Sequence, residues 1–148
     1  MIPTARVYSV GYEGFTLSGF TECMSQSRVG AVVDVRLNAV SRKPGFSKRR
    51  LAEALDAVGI AYVHEPSLGN PLENRGSFRD GDGESGRRRM REMLDNGSGE
   101  ALARVLSLAR EGRIALLCVE RDQHRCHRSV ITDALMALEP ELEVLSVS

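Results

Sequence analysis

The sequence predicts a single α/β domain: a mostly parallel sheet of about five strands with helices on both faces, a Rossmann-like three-layer arrangement. Three observations point there. Short apolar runs alternate along the chain with stretches of helical period. One run, Val29 to Val35, is nearly continuous and broken only by Asp34, as a strand covered on both faces reads. The length, 148 residues, suits one domain with one sizeable core, so residues 1–148 are treated as a unit.

The elements follow in order. Arg6 to Tyr12 reads as a first strand. Thr16 is placed to cap a helix whose apolar positions Leu17, Phe20 and Met24 share one face. Val29 to Val35 is the second strand. Ser47 is the expected cap of a helix with Leu51, Leu55 and Val58 inward and Gly59 as its stop. Ile60 to His64 makes a third strand. Residues 66–86 change character, holding five of the fourteen glycines and two prolines. This polar, Gly-rich loop is expected to be a mobile flap over residues 70–86. Arg87 to Leu94 reads as a short helix, and Gly97-Ser98-Gly99 as a break. Ser98 then caps a longer helix through Leu102, Val105 and Ala109, stopped by Gly112. Ile114 to Cys118 is the central-strand candidate. A last helix spans about Arg128 to Leu138 with Ile131, Leu135 and Leu138 inward, and Leu142 to Val147 is the last strand.

Composition excludes several classes. Apolar residues make up 42% and charged residues 27%, so the chain is not disordered as a whole. No apolar run is long enough for a membrane span, and the N-terminal residues lack the stretch of a signal peptide. With three cysteines and no Trp, a cytoplasmic setting without disulfides is expected. Twenty basic residues balance twenty acidic ones, which argues against binding dominated by nucleic-acid phosphates. Only Lys43 and Lys48 are lysines, so eighteen are arginines, a bias that a high-GC genome produces unaided.

In parallel sheets, ligands sit outside the carboxyl ends of the strands. Polar and reactive residues gather there in this chain. Asp34 and Arg36 share one strand face and read first as an ion pair, since a carboxylate in an apolar run needs a partner. Arg36 and Arg42 are also candidates to hold an anion. His64 beside Glu65 is placed for acid–base work near neutral pH. Cys118, Glu120, Arg121, His124, Cys126, His127 and Arg128 crowd into a strand end and a helix start. A cysteine at a helix N-terminus beside arginine or histidine has a lowered pKa, which suits Cys126 as a nucleophile. Cys118 is expected to lie deeper, as a small buried hydrophobe. Zinc is disfavoured by spacing: seven residues separate the two cysteines, without a C-x-x-C pair. No metal is assigned. A phosphatase- or rhodanese-type loop would need C-x5-R, which is absent, as are G-x-G-x-x-G and a P-loop. The cofactor stays undefined.

Three stretches resemble the domain of unknown function 488 family. They are Val33 to Asn38 with Ser41 to Ser47; Tyr62 to His64 with Leu68-Gly69-Asn70-Pro71 and Glu73-Asn74-Arg75; and Cys118 to Arg121 with Cys126-His127-Arg128 and Ile131. Gly11-Tyr12 is similar to the family's opening strand. The likeness departs at Ala39, where the family often has proline. The resemblance implies a small α/β domain in a bacterial cytoplasm. It also implies a shared site comprising Asp34, Arg36, Arg42, His64, Cys118, Glu120, Cys126, His127 and Arg128. It implies no reaction.

The residues themselves favour a protein that binds or transforms a small anionic ligand, phosphate-bearing and nucleotide-like. Asp34, Arg36, Arg42, Arg121 and Arg128 would bind it, and Cys126, His127, His64 and Glu120 would supply chemistry. Arg36, His64, Glu120 and Arg128 should then meet around one cleft. Two rivals remain: a nucleic-acid-associated protein using Arg87 to Arg91, and a non-catalytic interaction module with a structural polar cluster. Low aromatic content, 5%, leaves the first rival few stacking platforms. A homodimer is compatible with any of these.

Overall fold

Five strands form one parallel sheet in the order β3-β2-β4-β1-β5, with β1 (Arg6–Gly11), β2 (Ala31–Asp34), β3 (Ala61–His64), β4 (Ile114–Cys118) and β5 (Glu143–Val147). The computed structural model describes residues 5–70, 84–97, 99–120 and 126–147. Among the described residues five helices cover the sheet: α1 (Leu17–Gln26), α2 (Lys48–Ala57), α3 (Glu84–Gly97), α4 (Gly99–Glu111) and α5 (Arg128–Leu138). A short 3-10 turn, Pro66–Leu68, follows β3.

Strand alternation divides the core into two layers. Tyr8, Val10, Val32, Ala115 and Leu117 pack with Phe20 and Met24 of α1 and Leu51 and Leu55 of α2. Val7, Ala31, Val33, Ile114 and Leu116 face the other way. There they meet Met90 and Leu94 of α3, Val105 and Ala109 of α4, and Ile131 and Leu135 of α5. The expected three-layer α/β architecture is therefore present.

Local corrections have local causes. Val58 is 46% exposed, because α2 ends at Ala57 and the chain turns through Gly59 at φ +78°, taking Val58 off the helical stripe. Leu138, the last residue of α5, is 57% exposed. The helix expected over Arg87 to Leu94 is longer, Glu84–Gly97. Glu84 in its first turn pairs with Arg87 and Arg91, which extends it backward. Thr16 caps α1 as expected, accepting from the Gly19 N–H at 3.0 Å. Ser47 occupies the cap position of α2 but makes no cap hydrogen bond. Its hydroxyl instead accepts from the Ser41 N–H and donates to the Ser41 carbonyl, closing the loop after β2. Of the Gly-rich loop, Leu68, Gly69 and Asn70 are buried. Residues 71–83, where most of the expected flap falls, and Ser98 lie outside the described residues.

The topology singles out the end of β4. The chain leaves β1 and β2 toward the layer of α1 and α2, but leaves β4 toward α5 on the opposite face. Because β4 lies between β2 and β1, its carboxyl end is where neighbouring connections diverge. Such divergence opens a crevice in open α/β sheets.

Candidate functional site

Strand alternation turns Cys118 toward α5, with Leu116 and Ile114 before it on the same face. Cys126 and His127 immediately precede α5 and are buried there. The seven-residue excursion thus returns to its starting point. His127 Nδ1 lies 3.5 Å from Cys126 Sγ and 3.8 Å from Cys118 Sγ. The other ring nitrogen, Nε2, donates to the Val35 carbonyl at 2.8 Å, which fixes the ring and leaves Nδ1 facing sulfur. Cys118 Sγ is 3.6 Å from Glu120 Oε2.

The two thiols are driven in opposite directions. Burial opposes charge on Cys126. The Cys118 thiol, the His127 ring and Arg128 outweigh it and hold Cys126 well below the usual thiol range. Cys118 is pushed well above that range by donating to Cys126, by burial, and by the negative charge of Cys126 and Glu120. For His127 burial acts downward, but Cys126 and the Val35 carbonyl raise it overall. Depth does not separate the cysteines as the sequence suggested. Cys126 is 2% exposed and Cys118 6%.

Arg128 opens α5 with its side chain fully buried. Its Nη2 donates to the Glu120 carbonyl, while Nε and Nη1 have no hydrogen-bond partner among the described residues. A buried donor left without a partner costs about 1–3 kcal/mol, and more when charged.

A second polar group occupies the other side of the sheet end. Arg36 Nε donates to Asp34 Oδ1 at 2.8 Å, Nη2 to Asp34 Oδ2 at 2.6 Å, and Nη1 to the Phe46 carbonyl at 2.7 Å. Its guanidinium lies 5.4 Å from the centre of the Tyr12 ring, which stacks on Phe46 at 4.6 Å. Tyr62 donates to Asp34 Oδ2 at 2.5 Å. Burial, then the neighbouring Asp34, raise the Tyr62 phenol well above its ordinary value. Arg36 is also raised: burial acts downward, but Asp34 prevails.

The expectation of one cleft shared by Arg36, His64, Glu120 and Arg128 is therefore revised. Arg36 turns toward the layer of α1 and α2, and all three of its nitrogens are engaged. Arg128, Cys118, Cys126 and His127 lie toward α5. The two groups touch through backbone where Val35 O accepts from His127; His64 Nε2 lies 2.7 Å from Arg36 O, at the paired ends of β2 and β3. Arg42 is exposed on the loop after β2. Arg121 and His124 lie outside the described residues. Sequence reasoning missed Tyr62, whose signal was its shared face with His64 one strand from Asp34. It also missed Arg104 of α4, which grips buried Glu65 through two 2.8 Å bonds.

At the opposite end of the sheet, a depression of about 380 Å³ is lined by Arg6, Arg110, Arg113 and Glu143 among others. Two of those arginines are paired, Arg6 with Glu143 and Arg110 with Glu139. Among the described residues, no helix is long and apolar enough to cross a membrane.

No curated protein and no solved structure matches the chain significantly. The family model described as Domain of unknown function DUF488 matches residues 16–135. That span takes in α1 through most of α5, with both polar groups at the strand ends. The chain belongs to the DUF488 family.

Proposed function

We propose that the carboxyl end of β4 is the binding site of a small phosphate-bearing anion, with Arg128 as its anchor. The observation that carries this reading is the fully buried guanidinium with two unpartnered nitrogens. Proteins pair buried charges, and a phosphate oxygen pair fits the guanidinium fork. The first turn of α5 adds the positive end of a helix. Glu120, Cys126 and His127 border the same place and are the groups able to act on what binds there. His64 is held on the Arg36 carbonyl at the paired ends of β2 and β3. Asp34 and Arg36 brace the loop after β2 rather than grip the ligand. Arg42 is left as an approach charge.

Thermal unfolding with a panel of inorganic phosphate, sugar phosphates and nucleotides tests this. A ligand at a hundred times its dissociation constant should stabilise the wild type by about 2.7 kcal/mol. Arg128→Met should abolish that gain, and Arg128→Lys, which keeps charge but loses the fork, should retain part of it. No stabilisation by any panel member, or equal stabilisation of Arg128→Met, would contradict the reading. An oligonucleotide arm measures the nucleic-acid alternative. That alternative is weakened by the pairing of Arg87 and Arg91 with Glu84, although Arg88, Arg89 and Arg91 are exposed.

A further inference from the structure

We propose that Cys118, Cys126 and His127 bind a zinc ion at the junction of β4 and α5. Their three donor atoms all lie within 4.8 Å of one another, and all three residues are buried. Zinc–sulfur bonds of about 2.3 Å and zinc–nitrogen bonds of about 2.0–2.1 Å give tetrahedral sulfur–nitrogen edges near 3.5 Å. The observed separations of His127 Nδ1 from the two sulfurs, 3.5 and 3.8 Å, match those edges. The ring is already oriented for ligation. Its Nε2 is held by the Val35 carbonyl, the support that metal-bound histidines ordinarily have, and Nδ1 is left for the ion.

Two thiolates and one imidazole select a thiophilic divalent ion over magnesium or calcium. Two thiolates also neutralise its charge, so the ion can sit in a buried place without a further counterion. Glu120 Oε2, 3.6 Å from Cys118 Sγ, stands beside the fourth corner. Glu120 is only half-buried, and among the described residues the cluster holds no fourth His or Cys, which leaves that corner to an exchangeable ligand. Three protein ligands with an open fourth position is the pattern of zinc sites that act on a ligand. The C-x7-C-H spacing hides such a site. The pairing is made by a strand end meeting a helix start, not by a knuckle of adjacent cysteines.

The inference goes beyond the anion reading and does not depend on it, because metal content is read with no anion present. The full chain is purified without added chelator and its zinc is measured by mass spectrometry. It is then stripped and titrated with zinc alone and with cobalt(II) alone. One zinc per chain is expected, together with thiolate-to-cobalt charge-transfer bands and the intense visible bands of a tetrahedral site. Cys126→Ser should weaken binding at least about tenfold. His127→Cys, which swaps one zinc ligand for another, should retain the metal and shift the cobalt bands. Cys23→Ser, in α1 on the other face of the sheet, should change nothing. A folded wild-type chain that takes up no zinc and shows no cobalt–thiolate bands would overturn the proposal. So would metal binding indifferent to Cys126→Ser, or a Cys118–Cys126 disulfide in the protein as purified. Cobalt spectra of the wild type decide the matter if a variant fails to fold. Stabilisation of the stripped protein by phosphate, measured separately, reports on Arg128 alone.

Discussion

Two buried arginines stand a few residues from the same sheet end and meet opposite fates. Arg36 has a carboxylate and a carbonyl for all three nitrogens; Arg128 has one carbonyl for one. The first arrangement is structural and its disruption should cost stability. Asp34→Asn, which leaves the buried Arg36 charge without its counter-charge, should lower unfolding free energy by about 3–5 kcal/mol in urea melts. The second leaves Nε and Nη1 without a partner among the described residues, and on the proposed function that charge is kept for a ligand. Arg128→Met removes it at similar volume and should melt no lower than the wild type without ligand. A large loss of stability in that variant would show that Arg128 is already satisfied in the free protein. Tyr62 adds a pH signature. Its folded pKa lies above the unfolded phenol value of about 10. Its contribution to stability is therefore complete below about pH 10 and is lost as pH rises through that value toward the folded one. Tyr62→Phe should lose about 1.5–3 kcal/mol at neutral pH and show less further decline when urea midpoints are followed into alkali. The Asp34–Arg36 pair was legible in the sequence, because two residues two apart on a strand share a face. Tyr62 was not, because its partnership needs β3 beside β2, a fact of tertiary pairing.

Among the elements, strands and helices were legible from periodicity, while the contacts that hold the loops were not. Gly69 illustrates the gap. A Cβ there would lie 2.4 Å from Leu37 Cα and 2.5 Å from Leu37 N. The segment after β3 therefore passes against the backbone of the loop after β2. In sequence, Gly69 stood in the glycine-rich stretch 66–86 and in the Leu68-Gly69-Asn70-Pro71 motif, and neither revealed this contact. Gly69→Ala should destabilise the protein by about 1–3 kcal/mol and disturb both loops, visible as amide shift changes reaching Leu37. An alanine variant with unchanged stability and spectra would show that the two loops part freely. Ser47 carries the same lesson. Its spacing from α2 marked a cap, but its hydroxyl answers to Ser41, and only the folded loop reveals that preference.

At the scale of the molecule, alternation of strands and helices foretold a parallel sheet with both faces covered, because each element must bury its apolar side. Strand order was beyond reach. Several right-handed windings suit the same pattern, and the order β3-β2-β4-β1-β5 depends on which strands share neighbours. That order explains why the sheet end carries two polar groups instead of one. The loop after β2 stays with α1 and α2, while the loop after β4 crosses to α5. Arg36 and Arg128 are thereby drawn to opposite sides, and the Val35 carbonyl after β2 accepts from His127 beside Arg128. Whether Arg128 anchors an anion is decided by a crystal structure of the full chain soaked with a nucleoside monophosphate. Phosphate oxygens are expected within hydrogen-bond distance of Arg128 Nε and Nη1, beside Glu120 and the first turn of α5. Ligand density elsewhere, with those two nitrogens bound to protein or water, would contradict it.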